Sequence, residues 1–220
     1  MASRVKILAF DTSSSVISIA LQNEEELVFF DQVAPLQHTQ LILPKIKSML
    51  DSCDISLNQL DAVAYACGPG SFTGIRIASS VVQGIGLATS LPIVPVSSLA
   101  VLAQTAYLEQ QWTNLLVALD ARMDQVYWAV YQTNAHGIVE LFGEEQVLFP
   151  DQTIINNKCL DWYGVGDGWD RYQTILSKHG ARRIAKEQQP DARALLSLAK
   201  IKLKNGDWVA SCDAIPVYLR

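Results

Sequence analysis

The chain has 220 residues, 50% of them hydrophobic and 18% charged, which is enough apolar material for one large domain or two small ones. Its formal net charge of -5 argues against a chain that binds nucleic acid by itself, because affinity for a phosphate backbone needs clustered Lys and Arg. The four cysteines lie far apart and form no C-x-x-C pair, which argues against a zinc cluster or dense disulfides and favours a reducing, cytoplasmic setting.

Three strands, then alternating helices and strands, are predicted for the first half of the chain. Residues 4–10 are predicted to form a buried strand, the alternating residues 15–22 a second strand and residues 27–34 a third. Apolar residues recur at helical spacing from His38 to Cys53 and predict the first helix. The next predicted elements are a strand at 61–67, a helix over 72–89, a strand at 93–96 and a helix from Ser97 to about Gln110.

The second half repeats the start of this order. An apolar strand ends in Asp120 just as the first strand ends in Asp11, and an alternating strand follows each aspartate. The remaining predicted elements are strands at 125–132 and 138–149 and helices near 168–179 and 191–205. The sequence therefore predicts an α/β fold with duplicated mixed-sheet units, divided into an N-terminal lobe of residues 1–108 and a smaller C-terminal lobe of residues 109–220.

A stretch without charged residues, from Ile77 to Leu108, is long enough to span a bilayer. Pro92 and Pro95 interrupt it, and Ser, Thr and Gln are spread through it. Such a composition is more typical of a helix and a strand buried inside a domain. We therefore predict that this chain has no membrane-spanning segment.

The Gly-rich turn from Cys67 to Gly74 lies between a predicted strand and a predicted helix, where many proteins bind a phosphate. Both the P-loop and the dinucleotide fingerprint need a glycine five residues after Gly68, and that position holds Thr73. The P-loop also needs a lysine, and the sequence has none from 48 to 157. We favour a tight turn whose Ser71 caps the helix, and an anion site stays the alternative.

The helix after this turn carries two lines of small or apolar residues at i, i+4 spacing. One line is Gly74, Ala78 and Val82, and the other is Ser80, Gly84 and Ala88. Small residues let another helix approach closely. A partner-facing helix is therefore predicted, with packing against the chain's own sheet as the alternative.

Asp11 and Asp120 stand where a strand gives way to a turn, the position that holds metal-bound phosphate in the superfamily of actin, sugar kinases and heat-shock chaperones. The residues that follow are Thr12-Ser and Ala121-Arg, rather than the glycines that such loops usually carry. An aspartate that caps a turn is the alternative. The histidines show no metal-ligand spacing and no nucleophile motif is visible, so neither a metal site nor catalytic residues are predicted.

Six segments taken together resemble the bacterial TsaB (YeaZ) family from end to end. They are Ile7-Leu-Ala-Phe-Asp-Thr-Ser13, His38-Thr-Gln-Leu-Ile-Leu-Pro44, Gly68-Pro-Gly-Ser-Phe-Thr-Gly-Ile-Arg76, Leu91-Pro to Val96-Ser-Ser-Leu99, Asp120-Ala-Arg-Met-Asp-Gln-Val-Tyr127 and Pro216-Val-Tyr-Leu-Arg220. The segment that begins at Gly68 is the specific one, and the others are weaker alone but stand in the right order.

The resemblance implies a two-lobed actin or sugar-kinase type of fold, which is ribonuclease H-like, and a role in making threonylcarbamoyladenosine beside the anticodon of tRNAs. In that system the related subunit TsaD carries the metal and transfers the threonylcarbamoyl group, and the ATPase TsaE joins the complex. ATP and a metal ion are therefore expected on the partner subunits. TsaD-like relatives have two metal-binding histidines four residues apart, and the matching positions here are Ser98 and Leu102.

The resemblance and the residues together predict a noncatalytic, cytoplasmic subunit that binds a TsaD-like protein through the helices near 38–53 and 72–89. It is expected to meet tRNA only through the complex and to form a homodimer when alone. Asp11, Thr12 and Asp120 are expected to line a vestigial nucleotide cleft. The expected interface residues are Leu41, Pro44, Arg76, Ala78, Ser80, Val81, Gly84 and Ala88.

Two alternatives stay open. One is an enzyme, a nucleotide-binding or metal-dependent hydrolase that uses Asp11 and Asp120, to which the old label glycoprotease would refer. It requires an ion and a phosphate close to both carboxylates. The other alternative is direct binding of tRNA, which the acidic composition disfavours.

Overall fold

The computed structural model describes residues 5–155, 160–185 and 188–219. Its helices and strands follow in chain order: β1 (Lys6–Asp11), β2 (Val16–Asn23), β3 (Glu26–Val33), α1 (His38–Ser52), β4 (Ala62–Gly68), α2 (Phe72–Thr89), β5 (Ile93–Ser97), α3 (Ser98–Gln110), β6 (Asn114–Arg122), β7 (Gln125–Thr133), β8 (Val139–Leu141), β9 (Gln146–Leu148), β10 (Tyr163–Val165), α4 (Gly168–Arg171), α5 (Gln173–Leu176), β11 (Arg183–Ala185) and α6 (Ala192–Asn205). The chain divides into two compact units, residues 1–101 with 190–217 and residues 102–189 with 218–220.

The first unit contains a five-stranded mixed sheet in the order β3-β2-β1-β4-β5. β1 pairs antiparallel with β2 and parallel with β4, and β4 pairs parallel with β5. Every residue of β4 is buried, and so are Ile7 to Asp11 of β1. These strands have short, continuous apolar sequences because central strands covered on both faces need apolar side chains on both sides.

The second unit has the same strand order around its own first strand. Its sheet runs β11-β10-β6-β7-β8, and β9 also pairs with β7. β6 pairs antiparallel with β7 and parallel with β10, as β1 does with β2 and β4. The predicted α/β fold with duplicated mixed sheets is therefore confirmed, and the first and second strands of each copy are the ones that the sequence pattern indicated.

The division of the chain differs from the predicted lobes at the C-terminal end. The sequence assigns residues 190–217 to a second lobe of 109–220, whereas they belong to the first unit. The reason is that α6 packs on β1, β2, β4 and β5 through apolar residues, including Leu195, Leu196 and Ala199. An amphipathic helix joins the sheet that buries its apolar face, whichever half of the sequence it comes from.

Two other predicted elements are broken in the structure. The predicted strand at 138–149 is two short strands, because Gly143, with a φ of +95°, turns the chain between them. The predicted helix at 168–179 is two one-turn helices and a short 3₁₀ turn, interrupted at Tyr172, which has a φ of -118° and a ψ of 24°. Within the described part of the chain, no helix combines the length and the apolar character needed to cross a membrane.

Candidate functional site

The Gly-rich turn after β4 ends at Ser71, which caps α2 as the sequence predicts. The Oγ atom of Ser71 accepts a hydrogen bond from the backbone N–H of Gly74 at 3.3 Å. The backbone N–H of Ser71 itself donates to the carbonyl oxygen of Ser13 at 2.8 Å. Two N–H groups at this helix terminus are therefore already bound by the chain's own atoms, which favours the tight-turn interpretation over an anion site.

The two lines of small residues on α2 face opposite environments. Gly74, Ala78 and Val82 are buried in the first unit, whereas Ser80, Gly84 and Ala88 are exposed. A Cβ atom added at Gly84 would have no heavy atom within 4 Å. One line therefore packs against the unit's own core, and the other is exposed. We call Ser80, Gly84 and Ala88 the small-residue face.

Ala78 must be removed from the predicted interface. Its side chain is fully buried and belongs to the hydrophobic core cluster that includes Phe10 and Tyr65. Ala78 lies four residues after Gly74 on the inward line, so it faces the sheet rather than solvent. A large residue at this position would disrupt the core before it could affect an interface.

An apolar groove of about 420 Å³ separates α1 from α2 and borders the small-residue face. On the α1 side it is lined by Ile42 and by Leu43, whose side chain is 55% exposed. On the α2 side Phe72 is 60% exposed, and the guanidinium carbon of Arg76 lies 3.5 Å above the centroid of its ring. The groove therefore combines exposed apolar surface with a cationic group at the edge.

The other predicted interface residues lie on the same two helices. Arg76 and Pro44 are exposed, whereas Leu41 and Val81 are half-buried and pack against the core cluster. α1 and α2 contact each other, so these residues form one continuous region of the first unit. The structure thus brings the predicted interface residues together on α1 and α2, apart from Ala78. Fewer of them are exposed to a partner than the sequence predicts.

Asp11, at the end of β1, is buried under the chain rather than open to a ligand. Its exposed fraction is 1%, and one carboxylate oxygen, Oδ1, accepts from the backbone N–H of Ser13 at 2.6 Å. The other oxygen, Oδ2, is buried with no hydrogen-bond partner among the described residues. Burial raises the pKa of Asp11 to about 6, although the hydrogen bonds from Ser13 oppose the shift.

Asp120, at the corresponding position of the second unit, is held by arginines. Its Oδ2 atom lies 3.1 Å from Nη1 of Arg122 and 3.0 Å from Nη1 of Arg171, and its Oδ1 atom accepts from the backbone N–H of Arg122 at 3.0 Å. The backbone N–H of Asp120 donates to Asp167, and burial raises the pKa of that second carboxyl. The charge of Asp120 is therefore compensated within the chain.

The two positions at which the resemblance implies metal-binding histidines in TsaD are both buried in α3. Ser98 and Leu102 have no exposed surface, and the Oγ atom of Ser98 has no hydrogen-bond partner among the described residues. A leucine side chain cannot ligate a metal. Across residues 5–155, 160–185 and 188–219, no three His, Cys, Asp or Glu side chains are grouped so that they could hold a metal ion.

The sequence-based predictions missed the part that residues 211–217 play beside α2. The Nε2 atom of Gln83 donates to the carbonyl oxygen of Ala214 at 3.1 Å. The hydroxyl of Tyr65 donates to the carbonyl oxygen of Ile215 at 3.0 Å. A Cβ atom at Gly86 would lie 2.8 Å from the Cβ atom of Ser211. Gly86, a buried glycine within a helix, is the one sequence signal that could have indicated this close approach.

Comparisons of the sequence with known proteins find relatives over nearly its whole length. The protein of Escherichia coli (strain K12) called "tRNA threonylcarbamoyladenosine biosynthesis protein TsaB" is 37% identical over 98% of this chain and 95% of its own length. A Haemophilus influenzae protein of the same name is 34% identical over 97% of this chain and 93% of its own length. A family model described as "TsaD: tRNA N6-adenosine threonylcarbamoyltransferase" matches residues 30–154.

Solved structures give the same result for the fold. A Pseudomonas aeruginosa crystal structure, described as an uncharacterized protein with similarity to peptidase YEAZ, superposes with a TM-score of 0.94 at 40% identity, over 98% of this chain and all of that one. Another structure, "YeaZ from Pseudomonas aeruginosa", superposes with a TM-score of 0.93 at 40% identity and with the same coverage. These matches confirm the predicted fold class and the predicted family resemblance.

Proposed function

Since this chain belongs to the TsaB (YeaZ) family, we propose that it acts in the cytoplasm as a noncatalytic subunit of the complex that makes threonylcarbamoyladenosine in tRNA. The names of its relatives at 37% and 34% identity support this pathway. The single observation that carries the partner role is the exposed small-residue face of α2 beside the apolar groove. Contiguous exposed apolar surface of this kind marks sites of protein–protein contact.

The proposed partner is a TsaD-like protein that contributes a helix to this surface. Ser80, Gly84 and Ala88 allow a helix backbone to approach closely, because their side chains are short. Arg76 is the one charged side chain among the described residues that line the groove. We expect the partner helix to present apolar side chains to the groove and a carboxylate near Arg76.

The noncatalytic role is supported by the state of the two aspartates and of α3. Asp11 is buried beneath its own loop, and Asp120 is paired with Arg122 and Arg171. Ser98 and Leu102 lack the imidazoles of the metal site that the resemblance implies for TsaD. ATP, the metal ion and the transfer chemistry are accordingly proposed to reside on the TsaD-like and TsaE-like partners.

The same surface accounts for the proposed homodimer of the chain alone. An apolar helical surface intended for a related protein can pair with its own copy, and a two-fold dimer uses the same patch on both protomers. The net charge of -5 supports contact with tRNA through the complex rather than by this chain alone.

The test is to measure by titration calorimetry the affinity of the purified chain for the TsaD-like protein of the same organism. Gly84→Arg places a long cation on the small-residue face and is expected to weaken binding by at least about tenfold. Thr174→Arg, on the exposed surface of α5 in the second unit, is the control and should bind normally. No association of the native chain, or unchanged affinity of Gly84→Arg, would contradict the proposal.

A second measurement separates this role from that of a hydrolase. Metal content and ATP hydrolysis are measured on the native chain alone and on Asp11→Asn. The proposal expects neither stoichiometric metal nor turnover in either protein. Bound metal together with turnover that the substitution abolishes would instead support the enzyme.

A further inference from the structure

Two hydrogen bonds join the loop after β1 to the start of α2, and a third shapes the loop itself. The hydroxyl of Thr12 donates to the carbonyl oxygen of Gly74 at 2.7 Å, and the backbone N–H of Ser71 donates to the carbonyl oxygen of Ser13 at 2.8 Å. Asp11 shapes the loop, because its Oδ1 atom accepts from the backbone N–H of Ser13. Thr12 is 0% exposed, so its hydroxyl needs this protein acceptor in place of water.

The glycines of the turn are required by the same junction. A Cβ atom at Gly74 would lie 1.8 Å from the carbonyl oxygen of Thr12, and one at Gly70 would lie 2.7 Å from that of Ser13. Both distances are shorter than any real contact of a Cβ atom, and both involve backbone that cannot swing away. The spacing of Gly70 and Gly74 therefore reflects how closely the β1 loop packs against α2.

The junction ties down the first turn of the buried side of α2, and Ala78 and Val82 continue that side into the core. Gly74 begins the inward line, so its contact with Thr12 holds that line against the core. Each residue of an α-helix advances the chain by about 1.5 Å and rotates it by about 100°. A slip of one residue at Gly74 would therefore turn the small-residue face away from the groove.

We infer that Thr12 is a positioning residue for the partner surface: its hydroxyl bond to Gly74 holds the first turn of α2 in the rotation that exposes Ser80, Gly84 and Ala88. The expected effect of Thr12 on partner affinity rests on the proposed function, whereas its effect on the start of α2 does not. It gives Thr12 and Asp11 a role in assembly in place of the nucleotide role that the sequence predicts. Thr12 itself touches no partner, because it is fully buried.

The test compares Thr12→Val, which removes the hydroxyl at nearly constant shape, with Thr12→Ser, which keeps it. Thr153→Val is the control in the second unit, because Thr153 is also buried. Its hydroxyl donates to the carbonyl oxygen of Pro150 at 2.8 Å and lies 2.7 Å from Nε2 of His179, so the control removes at least as many hydrogen bonds as Thr12→Val. Two readouts are taken: affinity for the TsaD-like protein, and amide hydrogen exchange of residues 72–76 in the chain alone.

Thr12→Val is expected to bind about tenfold more weakly and to exchange about tenfold faster at the start of α2. Thr12→Ser should restore both values, and Thr153→Val should change neither. Native affinity together with native exchange in Thr12→Val would overturn the inference. Equal weakening by Val and Ser would overturn it too, because a retained hydroxyl would then not preserve binding. Loss of the whole fold in Thr12→Val would overturn it as well, since only the junction should be disturbed.

The exchange measurement also keeps this inference separate from the proposed function. If the native chain fails to bind the TsaD-like protein, the proposed function fails. Exchange at residues 72–76 then still decides whether the hydroxyl of Thr12 holds α2. Native exchange in Thr12→Val would overturn that role even if the native chain binds its partner normally.

Discussion

β1 and β6 begin the same strand order in the two units, and each carries an aspartate at or near its end. Asp11 is 1% exposed and is covered by its own loop, whereas Asp120 reaches Arg122 and Arg171. Burial without a full set of partners is costly for the charged form of Asp11, whereas the charge of Asp120 is compensated by two arginines. The comparison shows that the same strand order can place an aspartate near the end of its first strand in both units, buried in one and ion-paired in the other.

The turns after the parallel strands β4 and β10 extend the comparison. In both units a glycine of this turn packs closely on backbone of the first strand or its loop. A Cβ atom at Gly70 would lie 2.7 Å from the carbonyl oxygen of Ser13 in the loop after β1, and one at Gly166 would lie 2.4 Å from that of Ala118 within β6. The first turn leads into the 18-residue α2, and the second leads into the four-residue α4. Only the first junction therefore positions a helix long enough to offer a partner an extended face.

The largest effect is expected from breaking the first junction with Gly74→Ala. Because the added Cβ would meet the carbonyl oxygen of Thr12 at 1.8 Å, we expect the free energy of unfolding to fall by about 4 kcal/mol. Gly84→Ala is the control on the same helix, where the added atom enters open space and helix propensity should raise stability by up to about 1 kcal/mol. Urea denaturation followed by circular dichroism measures both, and equal midpoints would refute the close-packed junction.

A smaller effect is expected from Asp11→Asn, and it should depend on pH. The pKa of Asp11 is raised by burial to about 6 from 3.8, so the folded chain holds this proton more tightly than the unfolded chain. Stability should therefore fall as pH rises from about 4 through about 6, by about 3 kcal/mol in total, and stay level above that range.

Asp11→Asn should lack this slope. Unfolding free energies of both proteins at pH 4, 5, 6 and 7 test it, because the other titrating groups cancel in the difference between the two curves. A difference that stays constant over this range would show that Asp11 is already ionised at low pH in the folded chain.

The smallest effect is expected from Asp120→Asn in the second unit. Its partners Arg122 and Arg171 are 81% and 45% exposed, so water and salt screen the ion pairs. We expect the melting temperature to fall by no more than about 2 °C, and the difference to shrink in 1 M NaCl. A larger loss of melting temperature that salt does not reduce would contradict this expectation. It would mean that Asp120, like Asp11, contributes to stability as a buried group rather than through screened ion pairs.

Local patterns predicted much of the first unit, because its signals are contained within short segments. The apolar spacing and the cap at Ser71 placed α2 at 72–89, as observed. The second unit was harder to predict, since β10 and β11 have three residues each and lack an alternating pattern of their own. β10 depends on pairing with β6, and β11 depends on pairing with β10. The position of α6 depended on which sheet could bury its apolar face, which the order of elements does not reveal.

The sequence predicted the helix that carries the candidate site but not which side of that helix is exposed. The sequence itself determined that α2 carries two lines of small residues and that its turn lacks the lysine and the glycine register of a phosphate loop. Only the tertiary structure decided that the line through Ala78 faces the core and that the line through Gly84 faces solvent. The physical reason is that helical spacing specifies which residues share a line, whereas contacts distant in the chain specify how the helix is rotated. These are the packing of α2 on β4 and the contact between Thr12 and Gly74, 62 residues apart.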